Sequence, residues 1–122
     1  MTRGSGPVLV IDDHDDVREG LRMILESEGW RVETAPDGRE ALNKVTGGLR
    51  PCIVLLDLMS PVMNGLEFRQ ELRNHPDLLP TPILAYSGLT NVREKARQLA
   101  ANQSVKLPAE IDRLIAAVRQ SC

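Results

Sequence analysis

A chain of 122 residues has the length of one ordinary domain and can bury roughly two thirds of its unfolded surface, so a single core is expected. With 42% hydrophobic and 26% charged residues and no low-complexity run, the composition excludes a disordered chain. A formal charge of -2 without a Lys/Arg cluster argues against direct nucleic-acid binding. In chain order, Met1 to Pro7 are small and polar, lack the apolar stretch of a signal peptide, and read as a flexible terminus (1–7) before one domain (8–120). Val8 to Ile11 is the first short apolar run, followed by helical spacing at Val17, Leu21, Ile24 and Leu25, with Gly29 as the stop and Asp15 or Asp16 as the N-cap. Arg31 to Ala35 reads as a weaker second strand, and Asp37-Gly38 opens a helix carrying Ala41, Leu42 and Val45. Cys52 to Leu56 is the third strand; Leu66 and Arg69 to Leu72 have helical spacing; Ile83 to Tyr86 is the fourth strand; Val92, Ala96 and Leu99 mark another helix. Gln103 to Lys106 is the candidate fifth strand, and Pro108 and Glu110 start a last helix through Ile111, Leu114, Ile115 and Val118.

Near-continuous apolar runs alternating with amphipathic helices call for an α/β fold with a mainly parallel sheet covered on both faces. No run is long enough to span a membrane. Cys52 and Cys122 have neither metal-ligand spacing nor a disulfide framework, so a core Cys52, an exposed Cys122 and a reducing cytoplasm are expected.

Ligands of open α/β sheets bind beyond the carboxyl ends of the strands. There the sequence sets Asp12-Asp13 after the first strand, Asp57 after the third, Ser87 after the fourth and Lys106 near the end of the fifth. Asp57 ends a run of apolar residues, where an unpaired carboxylate is costly, and precedes the loop signals Ser60-Pro61 and Asn64-Gly65. Clustered carboxylates repel one another unless a cation is present, and oxygen ligands suit Mg2+. A metal, a lysine and a hydroxyl around the equatorial oxygens of a phosphoryl group supply the stabilisation its transfer needs, with Asp57 as nucleophile. His14 and His75 read as surface residues.

Three segments, Val8-Leu9-Val10-Ile11-Asp12-Asp13, Leu55 to Gly65 and Ile83-Leu84-Ala85-Tyr86-Ser87-Gly88, together resemble the receiver domain of two-component response regulators. The resemblance runs from about Val8 to Val118 and implies a flavodoxin-like, doubly wound parallel sheet of five strands in order 2-1-3-4-5 with five helices. It implies Asp57 as phosphoacceptor, Asp13 and Asp57 as direct Mg2+ ligands, Asp12 as a ligand through water, Met59 as a backbone-carbonyl ligand, and Ser87 as the hydroxyl drawn to the phosphoryl group. Ser60 and Asn64 replace residues common in the family at positions that give no ligand side chain.

The family usually has Lys followed directly by Pro, whereas Leu107 here separates Lys106 from Pro108. Aligned on the last helix, Leu107 takes the lysine position; with a shortened preceding loop, Lys106 reaches the site and contacts the phosphate. A shift of one residue reverses a strand side chain's direction. The family's aromatic on the fifth strand is absent, with Ser104 or Val105 near its place.

The resemblance implies a phosphorelay signalling domain, not an enzyme acting on a separate substrate. Its partners would be a histidine kinase or phosphotransfer protein and a downstream protein, with a homodimer as a further arrangement and neither nucleic acid nor membrane. No helix-turn-helix or long linker follows Val118, which leaves a stand-alone regulator or a piece of a larger protein. Two other readings compete: a receiver-like binding module that works without phosphorylation, and a haloacid-dehalogenase-like phosphatase whose nucleophile is Asp13 in Asp13-His14-Asp15-Asp16-Val17. The latter leaves the Asp57 loop unexplained and lacks a second acidic pair after Lys106.

Overall fold

The computed structural model describes residues 6–57, 65–78, 81–87 and 103–122. The apolar runs become strands β1 (Val8–Ile11), β2 (Val32–Ala35), β3 (Ile53–Asp57), β4 (Ile83–Ser87) and β5 (Gln103–Lys106). Between them lie α1 (Asp15–Ser27), α2 (Gly38–Thr46), α3 (Gly65–Leu72) and a 3-10 turn at Pro76–Leu78, and α4 (Ile111–Ser121) follows β5. The helix expected around Val92 to Leu99 lies outside the described residues. All strand pairs are parallel and the order is β2-β1-β3-β4-β5.

Because side chains alternate along a strand, the sheet sorts its residues by parity. Leu9, Ile11, Val54, Leu56, Ile83 and Ala85 face α2 and α3, where Ala41, Val45, Phe68 and Leu72 cover them. Val8, Val10, Ile53, Leu55, Leu84, Tyr86 and Val105 face α1 and α4 and meet Leu21, Leu25, Leu114, Ala117 and Val118. Every residue of β1 and β3 is buried, which explains why these strands read as unbroken apolar runs. On α1 only part of the expected stripe is core: Leu21 and Leu25 are buried, while Val17 and Ile24 stay in solvent.

Helix ends follow local chemistry. Gly29 takes φ +98° behind α1, a left-handed conformation that costs glycine little. Asp37 caps α2 by accepting the Glu40 N–H at 2.9 Å. The expected cap of α1 is corrected: His14 holds the N-cap position and Asp15 and Asp16 lie in the first turn, where their charges meet the positive helix end. The last helix begins at Ile111, a turn later than its sequence signal, and the Glu110 side chain accepts the Lys106 N–H at 2.7 Å.

The cysteines also depart from expectation. Cys52 is buried as anticipated, but Cys122 is bonded to it, with the two Cα atoms 5.4 Å apart. The sulfurs meet because α4 runs antiparallel to the strands and returns its C-terminal end to the start of β3. Among the described residues no helix is long and apolar enough to cross a membrane.

Candidate functional site

The strand register builds the site. Ile11 pairs with Leu56, Asp57 with Tyr86, and Tyr86 with Val105. Continuing the first pairing by one residue sets Asp12 beside Asp57, so Asp12, Asp57 and Tyr86 share one rung on the α1/α4 face. Asp12 is 1% and Asp57 5% exposed, an unusual depth for two carboxylates side by side.

Asp12 is held from both sides. Its Oδ2 accepts the Tyr86 hydroxyl at 2.6 Å, while its Oδ1 accepts the His14 backbone N–H at 2.8 Å and lies 3.0 Å from His14 Nδ1. Burial, then the Asp12 charge, push the Tyr86 hydroxyl far above the usual phenol range, so it stays a donor. Arg18 donates to the Asp12 carbonyl at 2.8 Å and pairs with Asp15, bracing the turn between β1 and α1.

His14 closes the cluster from the solvent side. Its Nδ1 lies 3.1 Å from Asp13 Oδ1 and 3.7 Å from Asp57 Oδ2. The ring is exposed, as expected, yet it belongs to the site. The hydrogen bond to Asp12, then the charge of Asp13, raise its pKa above the ordinary imidazole value. One ligand atom from each of Asp12, Asp13, His14 and Asp57 fits within a span of 4.8 Å. Three carboxylates around one point make a donor set suited to a hard divalent cation, so the residues fit Mg2+.

Of the other candidates, Ser87 ends β4 and pairs in register with Lys106, one rung beyond Asp57. Alternation turns Lys106 to the face opposite Val105, away from the Asp57 face, while Leu107 packs against the α1/α4 core. This favours the alignment in which Leu107 takes the lysine position. Met59, with Ser60 and Asn64, lies outside the described residues.

Tyr86 and Arg18 were not singled out from sequence. The signal for Tyr86 was present: a buried tyrosine needs a partner for its hydroxyl, and Tyr86 is the chain's only tyrosine, one residue before Ser87.

Residues 8–119 match the sequence family described as the response regulator receiver domain. The chain belongs to the response-regulator receiver family. Among curated relatives, the receiver is 38% identical over 112 residues to the response regulator MprA of Mycolicibacterium vanbaalenii, a match covering 92% of this chain and 48% of the relative. It therefore spans about half the length of the curated relatives it matches. Among solved structures, the receiver superposes on the Vibrio cholerae chemotaxis protein CheY4 with a TM-score of 0.83 at 29% identity, covering 98% of this chain and 100% of that one. It is also similar to the response regulator TrrA of Thermotoga maritima, solved in complex with Mg2+ and BeF, with a TM-score of 0.81 at 30% identity over 96% of this chain and 99% of that one. The phosphatase reading built on Asp13 finds no support: the receiver pattern covers residues 8–119, and Asp57 is one of the four residues of the cluster.

Proposed function

We propose that this receiver takes a phosphoryl group on Asp57 from the phosphohistidine of a histidine kinase or phosphotransfer protein. The observation that carries the reading is the convergence of Asp12, Asp13 and Asp57 at one strand edge with their oxygens gathered around a common point. A carboxylate oxygen of Asp57 attacks phosphorus in line, the new P–O bond forms, and the P–N bond to the donor imidazole breaks with its electron pair leaving on nitrogen. Asp12, Asp13, Asp57 and the Met59 carbonyl would hold Mg2+, which when bound neutralises charge on the carboxylates and the transferring group.

The residues of the chain do the positioning. Tyr86 and the His14 backbone N–H fix Asp12, and Arg18 steadies the turn carrying Asp13. Burial of Asp57 against the α1/α4 face limits water at the reacting oxygen. Ser87 is the hydroxyl that contacts the phosphoryl group, and Lys106 on the neighbouring strand contributes through its charge. Transfer of a PO3− unit onto the Asp57 carboxylate adds about one negative charge to an acidic edge, drawing Ser87 inward and biasing a two-state equilibrium that a downstream protein partner reads. Self-catalysed hydrolysis of the acyl phosphate resets the state.

Intact-protein mass after incubation with a small acyl-phosphate donor tests the reading. A magnesium-dependent gain of one phosphoryl group, absent in Asp57→Asn, is expected. No gain under any condition would overturn it and leave a receiver that binds its partner without phosphorylation.

A further inference from the structure

We propose that His14 is a side-chain ligand of the cation site, and that its imidazole makes the site prefer zinc-class transition cations over magnesium. The proposal rests on the reading that Asp12, Asp13 and Asp57 hold a divalent cation. Donor atoms that share one metal at bonds of about 2.0–2.2 Å stand about 3 to 4 Å from one another. His14 Nδ1 stands 3.0 Å from Asp12 Oδ1, 3.1 Å from Asp13 Oδ1 and 3.7 Å from Asp57 Oδ2. All three separations lie in or at the edge of that range, so a single cation can take Nδ1 together with carboxylate oxygens of the cluster.

The local chain explains how the ring comes to be there. The His14 backbone N–H bonds Asp12 Oδ1 at 2.8 Å, which folds the turn back over the carboxylates and brings Nδ1 to the same oxygen. Tyr86 holds the other Asp12 oxygen, so Oδ1 is the one that faces the cluster. The ring covers the outer side of the cluster from an exposed position.

Donor type then decides which cation gains. Magnesium keeps oxygen ligands and several waters, and a nitrogen donor offers it little. Zinc and its neighbours accept imidazole and carboxylate together, and each added nitrogen raises their affinity over that of magnesium. Ligation uses the lone pair of Nδ1, and any proton on that nitrogen is released to solvent on binding.

The test titrates the intact chain with Zn2+ and with Mg2+, reading zinc by competition with a chromophoric chelator and both cations by long-range 1H–15N spectra of the imidazoles. The chain has two histidines, so His14→Asn assigns the spectrum. Zinc is expected to shift the His14 Nδ1 resonance and leave His75 in place, while magnesium at saturation leaves His14 near its cation-free position. His14→Asn is expected to lower zinc affinity about tenfold or more with magnesium affinity unchanged. An unmoved Nδ1 resonance at saturating zinc, or the same zinc-to-magnesium preference in His14→Asn, overturns the proposal while the carboxylate site stands. Failure of the native chain to bind either cation overturns the carboxylate site as well.

Discussion

Replacing Tyr86 with Phe removes one oxygen from the chain and asks what holds the most deeply buried carboxylate among the described residues. Tyr86 is 2% and Asp12 1% exposed, so neither group finds water as a substitute partner without rearrangement. The bond is short, 2.6 Å, and its acceptor is charged, a class that contributes about 1.5–3 kcal/mol. Asp12 keeps the His14 N–H on its other oxygen, which places the loss in the lower half of that range, about 2 kcal/mol. With a urea m-value of about 1–3 kcal/mol/M, the unfolding midpoint falls by about 1 M. The measurement is urea unfolding in the presence of a chelator, made for native, Tyr86→Phe, Asp12→Asn and the double variant. If the pair is the source of the loss, Tyr86→Phe costs much less in the Asp12→Asn background. An equal midpoint shift in both backgrounds, or none in either, would refute the argument.

Three further outcomes follow from the geometry. Reducing the Cys52–Cys122 bond, which closes a separation of 70 residues, is expected to remove about 4 kcal/mol of loop-closure stabilisation, seen as a urea midpoint that falls with reductant in the native chain but not in Cys122→Ser. Lys106→Ala is expected to slow phosphoryl uptake by much less than the ~10²–10³-fold cost of losing a direct contact, because its side chain starts on the far face of β5; a loss of that size in a mass-based time course would put its ammonium at the phosphoryl group. In chelator, His14 is expected to titrate by NMR above the ordinary imidazole value, and Asp13→Asn to lower it. Since the folded pKa lies above the unfolded one, the stabilisation from charged His14 is full below the ordinary imidazole value and fades as pH rises through the raised one.

Much of this was legible before any coordinates. Val8 to Ile11, Cys52 to Leu56 and Ile83 to Tyr86 could be read as buried strands because both faces of a parallel sheet are covered, and Asp12 and Asp57 stood out as charges at the ends of those runs. Their shared rung was not legible, since register depends on how α1 and α2 pack between strands. Tyr86 hid inside the same pattern, its ring counted as core while its hydroxyl served the site. Lys106 and Leu107 show the limit most sharply: both alignments satisfied the sequence, and the packing of Leu107 against the α1/α4 core separates them. Cys52 and Cys122 gave no spacing signal because their meeting is produced by the return path of α4, far beyond local sequence.

The bond between these cysteines gives the molecule a mechanical asymmetry. Cys52 precedes β3 at the end of the sheet remote from Asp57, and Cys122 is the C-cap of α4, so the helix is tied at its foot. Its head begins just past the Leu107 to Glu110 turn, on the rim where the carboxylates stand. The helix is thus tied covalently at the end far from the carboxylates, while its other end meets them with no such bond.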